Sequence, residues 1–212
     1  LDKMVVNNSL DMLAYYYMGS GIGENENTMS SIILGTSMLT GSGVPVAGEY
    51  EVKNVLAMKI MDELGAGGSF TEYYAMDFND DVVLMGHDGP GHARIAQDRI
   101  RVRPLRVYHG KVGHGLSVEM AVKYGPVTLL SVVEDKKKGF SLLVAEGESV
   151  AGPILEIGNT NSRYRFSIGA RGFVEAWSAR GPAHHCAIGV GHWGRQLRKL
   201  AELMNLGFHQ VC

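Results

Sequence analysis

The sequence predicts an α+β domain built on an antiparallel sheet or barrel, and three observations carry this. Between residues 100 and 180, short apolar runs are cut by local turns rich in Gly, Pro and charge. Connections that short join antiparallel neighbours, whereas parallel strands need a long crossover. The runs 70–78 and 82–87, separated by N-D-D, read as a hairpin or two neighbouring strands. Helical spacing of apolar residues is confined to a few segments, which gives helices flanking a sheet and no alternating βαβ units.

In chain order, residues 1–18 read as a helix, with Val5, Val6, Leu10, Leu13, Ala14 and Tyr17 near helical spacing. The stretch G-S-G-I-G-E-N-E-N-T at 19–28 reads as a loop, and 29–40 as a helix broken by Gly41, Gly43 and Pro45. Residues 49–64 give the clearest helix: Val52, Val55, Leu56 and Ile60 form its stripe and Gly65 ends it. After the hairpin, G-P-G-H-A-R-I-A at 89–96 is a loop. Strands are expected near 102–109, 116–123, 126–134, 139–146, 164–168 and 172–179. A last helix covers 193–205, with Leu197, Leu200, Ala201 and Met204 on its apolar face.

Composition narrows the function. At 45% apolar, 212 residues can bury the core of one large domain. A net charge of −2 supplies no footprint for nucleic acid or an acidic membrane; the one basic run, Lys136-Lys137-Lys138, follows two acids and reads as a solvated hairpin tip. Cys186 and Cys212 make no disulfide framework and read as free thiols in a reducing, cytoplasmic setting. No run approaches the length that crosses a bilayer, and the start L-D-K-M-V-V-N-N lacks the pattern of a signal peptide. Neither glycine-rich phosphate-binding motif is present.

Four segments carry candidate chemistry: G-E-Y-E-V-K-N at 48–54, S-F-T-E-Y-Y at 69–74, V-V-L-M-G-H-D at 82–88 and R-G-P-A-H-H-C at 180–186. Glu49, Glu72, His87 and His185 together make a mixed oxygen and nitrogen donor set. It suits a divalent cation such as Mn²⁺, Mg²⁺ or Co²⁺ better than structural zinc, for which no Cys pair exists. Each residue also has a plainer reading. By position Glu49 is first a helix-start acid, favoured by unpaired N–H groups. Glu72, flanked by Phe70, Tyr73 and Tyr74, is harder to explain without a partner, because burying a lone ion is expensive. His92, His109, His114, His192 and His209 read as structural or peripheral. Arg163 and Arg165 read as exposed hairpin arginines, with a reach into the site as the alternative.

In this order and combination the four segments resemble the C-terminal part of L-arabinose isomerase, in the wider L-fucose/L-arabinose isomerase-like superfamily. The likeness is concentrated in 44–95 and 178–190. It implies an antiparallel β-barrel-like domain with a few flanking helices over 44–212. Residues 1–43 would be a helical segment and linker from a preceding domain. The start at Leu1 fits a piece of a longer chain whose N-terminal domains help build the site. The resemblance further implies aldose–ketose isomerisation of a sugar. Glu49, Glu72, His87 and His185 would be metal ligands, Glu49 and Glu72 the catalytic pair, and His184 a substrate contact. Homo-oligomeric assembly is expected on the same ground. The competing readings are a non-catalytic carbohydrate-binding or assembly module that keeps the fold, and a hydrolase using metal-bound water. All four ligand positions being filled speaks against the first. No further nucleophile motif supports the second.

Overall fold

The computed structural model describes residues 1–16, 23–108, 111–135 and 139–212. The Lys136–Lys138 run and His109 lie outside the described residues, as does part of the loop expected at 19–28. The chain opens with a short helix α1 (Asp2–Asn8), which ends where Ser9 turns left-handed, and a two-residue strand β1 (Leu13–Ala14). One helix was therefore expected where the structure has a short helix, a break and a strand. Helices α2 (Gly23–Ser31) and α3 (Ile33–Gly41) follow. The loop expected over 19–28 is corrected from Gly23 onward: Thr28, Ser30 and Ser31 satisfy their hydroxyls on carbonyls three or four residues back, so these polar residues sit inside a helix.

Strand β2 (Val46–Ala47) pairs in parallel with β1 and leads into α4 (Val52–Glu63). The helix expected from Glu49 begins three residues later. Its buried side is Asn54, Val55, Ala57, Met58 and Met61, while Val52 and Leu56 from the expected stripe are exposed. Strands β3 (Gly67–Asp77) and β4 (Val82–His87) form the expected hairpin, with Glu72 opposite Gly86. A 3₁₀ turn (Ala93–Ile95) precedes strands β5 (Arg101–Tyr108) and β6 (Lys111–Glu119), which pair with each other as a separate two-stranded sheet.

Strands β7 (Gly125–Asp135), β8 (Gly139–Val150) and β9 (Thr160–Phe166) come next, then helix α5 (Gly169–Ser178). The strand expected at 172–179 is thus a helix. Ala170, Phe173 and Trp177 recur at three and four residues and are the ones buried, the spacing of a helix face. Strand β10 (Cys186–Val190), helix α6 (Gly194–Leu203) and strand β11 (Gly207–Gln210) complete the chain. In α6, Leu197 and Ala201 are buried as expected, and Met204 beyond its end is exposed.

Six strands close on themselves in the order β8-β7-β10-β3-β4-β9 and back to β8, every pair antiparallel. Strand β11 lies parallel on the outside of β8. The expected barrel-like α+β fold is therefore present, and as a closed ring. Alternation along each strand divides the apolar residues between two cores. Leu129, Leu143, Ala145, Tyr164 and Ile188 fill the barrel with Phe173 and Trp177 of α5. Phe70, Leu130, Leu142, Val144 and Ala187 face outward, under Val55, Met58 and Met61 of α4 and Leu197 of α6. Both faces being covered explains why β7 and β8 read as nearly continuous apolar runs.

Three polar side chains, Arg163, His92 and His192, are held in contacts of the fold. Arg163 is 3% exposed, donates to the Pro153 carbonyl and is paired with Asp77 and Asp80, so it ties the β3–β4 hairpin to β9. That corrects the exposed reading for Arg163; Arg165 is exposed as expected. His92 is buried on Asp62 of α4, with Nε2 3.2 Å from Oδ1, and its backbone N–H donates to Ser69 Oγ. His192 donates from Nε2 to the Gly147 carbonyl.

Two outcomes follow. An alanine Cβ at Gly86 would lie 1.9 Å from the Thr160 carbonyl oxygen, within the β4–β9 ladder. Gly86→Ala is therefore expected to cost about 2 kcal/mol or more in urea unfolding. Burial holds His92 below its ordinary value of 6.5, against the pull of Asp62. Since the unfolded chain then takes up this proton first, stability falls as pH drops through the ordinary value toward the lower folded one. Comparing unfolding free energies from about pH 7.5 to 5.5, His92→Gln should flatten the slope; identical slopes would refute this role.

Candidate metal centre

The site lies at one rim of the barrel, where the end of β4, the start of β10, the middle of β3 and one turn converge. Strand β4 ends on His87, and β10 begins at Cys186, paired with Thr71, which sets His184 and His185 beside Glu72. Phe70, fully buried, is the floor: its ring stacks on His185 with centroids 4.3 Å apart and meets the edge of His87 at the same distance. The two imidazoles, 98 residues apart, face each other through Nε2 atoms at 3.1 Å.

Glu49 comes from the turn between β2 and α4. Both Glu49 and Tyr50 are left-handed, with φ of 56° and 55°. Each costs about 1–2 kcal/mol for a residue with a side chain, a strain that persists only when its surroundings enforce it. The turn is enforced by Glu51 N–H to the Gly48 carbonyl, and from outside by Tyr50 N–H to the carbonyl of Tyr15. The backbone at Glu49 is thus not that of a helix start: α4 begins after Glu51, and no side chain caps it.

This geometry brings together all four residues expected to act as ligands. Single donor atoms of Glu49, His87 and His185 lie within 4.8 Å of one another, as do those of Glu72, His184 and His185. Glu49 Oε1 and Glu72 Oε2 each lie 3.9 Å from His185 Nε2, and Glu72 Oε1 is 3.9 Å from His87 Nε2. His184 differs from its neighbour: it is 67% exposed, yet its Nε2 lies 2.5 Å from Glu72 Oε2. Burial raises the proton affinity of Glu72, with His185 and His184 pulling the other way.

One residue escaped the sequence reading. Glu51 Oε1 lies 3.1 Å from His185 Nδ1. With both rings neutral, a single set of tautomers satisfies the contacts. Gly89 N–H donates to His87 Nδ1 at 2.7 Å, which puts that ring's proton on Nε2, directed at His185. His185 then carries its proton on Nδ1 and donates it to Glu51, an arrangement typical of metal-binding histidines. The signal for Glu51 was its place two residues after Glu49, hidden by a helix assigned over both. Asp88 Oδ1 stands 3.5 Å from His87 Nδ1, placed to accept a proton there if Nε2 is needed as a donor atom.

The donor set fits a divalent cation. In octahedral geometry, ligand atoms about 2.1 Å from the ion and at right angles are about 3 Å apart. The two Nε2 atoms, hydrogen-bonded at 3.1 Å, have that spacing, and the carboxylate oxygens, at 3.9 Å from them, would have to close in. The sequence matches the L-arabinose isomerase C-terminal domain over residues 67–207. The chain belongs to that family. The match covers Glu72, His87, His184 and His185, while Glu49 and Glu51 precede it. No curated protein matches the chain. Arabinose isomerases are metal-dependent as a class, and this member has His/Glu groups able to hold an ion.

Removing Glu51 leaves the Nδ1–H of a fully buried imidazole without its acceptor. In ¹⁵N spectra at neutral pH, His185 is expected as the Nδ1–H tautomer, with Glu51→Ala shifting its ring nitrogens and Glu51→Asp restoring them in part. Unchanged His185 nitrogens in the Ala variant would refute the contact.

Proposed function

We propose that this chain carries the metal and proton-transfer site of an aldose–ketose sugar isomerase of the L-arabinose isomerase type. What supports the reading is the convergence of Glu49, Glu72, His87 and His185 from four separate segments, in a family whose members perform this reaction. These four residues would hold Mn²⁺, or Mg²⁺ or Co²⁺. Carboxylate oxygens suit all three, and imidazole tilts the preference toward Mn²⁺ or Co²⁺. When bound, the ion polarises the carbonyl and stabilises negative charge on the adjacent oxygens at C1 and C2.

The chain's own residues would do the rest. One of Glu49 and Glu72 takes the proton from C2 of the open-chain aldose and returns it to C1. The other moves the hydroxyl proton from O2 to O1, so that atoms and charge balance across the pair. His184, exposed at the rim and in contact with Glu72, meets the sugar hydroxyls. Glu51 fixes the tautomer and orientation of His185. For His87 to ligate through Nε2, its proton would have to move to Nδ1, giving up the Gly89 N–H donor, with Asp88 Oδ1 3.5 Å away to accept it. In this reading 1–43 belongs to the end of a preceding domain, the working enzyme is a cytoplasmic homo-oligomer, and those additional surfaces select the sugar. A module that binds carbohydrate without turnover is the second reading, and it would keep the sugar contacts without needing both glutamates.

Mn²⁺ calorimetry on the chain, on Glu72→Ala and on His185→Ala is the direct test. Each substitution is expected to weaken binding at least tenfold, about 1.4 kcal/mol. If the Ala variants bind as the parent does, the ligand assignment fails. With Mn²⁺ bound, turnover of a pentose panel by the longest available chain separates the isomerase from the non-catalytic module.

A further inference from the structure

We propose that the stacked pair Tyr16–Tyr50 is a sugar-contact surface, on which the C–H face of the substrate rests while its oxygens engage the Glu49–His185 cluster. The inference deepens the isomerase reading and rests on it.

Three observations point to this pair. Tyr50 is a bulky residue in left-handed backbone, and its side chain is 65% exposed, so burial does not compensate the strain. A glycine would hold the same turn at no steric cost. Strain kept at one position without a packing reason points to a use for the side chain. The ring is nonetheless held in place. It stacks on Tyr16 with centroids 5.1 Å apart and planes 20° from parallel. Tyr50 is tied at the backbone to Tyr15, the chain neighbour of Tyr16: Tyr50 N–H donates to the Tyr15 carbonyl and Tyr15 N–H to the Ala47 carbonyl. Lastly, Tyr50 leaves the chain between Glu49 and Glu51, whose carboxylates lie 3.9 and 3.1 Å from His185.

A sugar presents two kinds of surface, hydroxyls that suit ions and carboxylates, and C–H patches that suit an aromatic face. Rigid aromatic walls beside a few placed polar groups are the usual make-up of small-ligand sites. A pre-ordered ring loses little freedom when the ligand arrives. Both tyrosines lie before the span that matches the family domain.

The test uses L-arabitol, an open-chain pentitol that cannot react, with the Mn²⁺-loaded full chain and its Tyr50→Gly and Tyr50→Phe variants. Calorimetry gives pentitol and Mn²⁺ affinity, and NMR of labelled tyrosine rings gives contact. The parent is expected to show Tyr50 ring shifts on pentitol addition. Tyr50→Gly should keep Mn²⁺ affinity and bind pentitol about tenfold more weakly, while Tyr50→Phe stays close to the parent. Equal pentitol affinity in the Gly variant overturns the proposal. So does loss of Mn²⁺ binding in that variant, which would make the ring a support for Glu49. Ring shifts that follow protein concentration without pentitol overturn it as well, in favour of a second copy covering the pair. A parent that binds Mn²⁺ without ring shifts on pentitol refutes the surface and spares the metal site. Ring shifts without Mn²⁺ binding do the reverse, and the absence of both refutes both.

Discussion

Everything at the site depends on the short strand β10 being held on both edges. Its five residues pair with β3 on one side and β7 on the other, and without that insertion the ring of strands stays open between them. Small residues make the fit possible. A Cβ at Gly189 would lie 2.6 Å from Met61 Cε and 2.8 Å from Ala66 Cβ, so α4 and the turn after it press directly on the strand. The histidines just before β10 inherit this rigidity. His185 is fixed between the Phe70 ring and the Glu51 carboxylate, and His184 is left at the rim. A site carried on strand ends is placed more accurately than one carried on free loops.

Charge supplies the second constraint. Among the described residues, the ion pairs of Glu49, Glu51 and Glu72 all run to imidazoles, and none to a lysine or arginine. Three carboxylates converging on shared imidazoles repel one another, and burial of Glu72 adds a desolvation cost. A protein that needed only stability would do better with apolar packing there, since buried ionic groups seldom repay their desolvation. The cluster thus holds more carboxylates than fixed positive charge, the opposite of what stability alone favours.

Parts of this were legible in the sequence because one physical pattern dominated locally. The hairpin of β3 and β4 showed itself through two apolar runs around N-D-D, and Glu72 and His87 fell on adjacent strands as expected. The paired carboxylates and imidazoles were legible as residue types, and the family resemblance set them in one order. Elsewhere two patterns competed. The segment 172–179 has Phe, Val and Trp, which favour strands, yet Phe173 and Trp177 at four-residue spacing had to cover the end of the barrel core. Strand β10 was lost because C-A-I-G-V is short and interrupted by glycine, and only its two neighbours make it a strand. Arg163 looked exposed because its partners, Asp77 and Asp80, are some eighty residues away. Glu51 was hidden by a helix drawn three residues too long.

That last error concerns the turn on which half the site is built. A helix from Glu49 would have pointed residues 49 and 51 to different faces, since successive helical residues turn about 100°. Two left-handed residues instead bring both carboxylates to His185. Such a turn does not hold itself, and its backbone support comes from Tyr15, more than thirty residues upstream. The half-buried Tyr15 phenol has its proton affinity raised by desolvation and then by the charges of Asp88 and Glu49. The barrel alone thus supplies Glu72 and the histidines, and the segment before it supplies Glu49, Glu51 and their clamp. A site divided in this way forms only when the two parts fold against each other, so the strain at Glu49 and Tyr50 couples the folding of the first fifty residues to the donor geometry at the barrel rim.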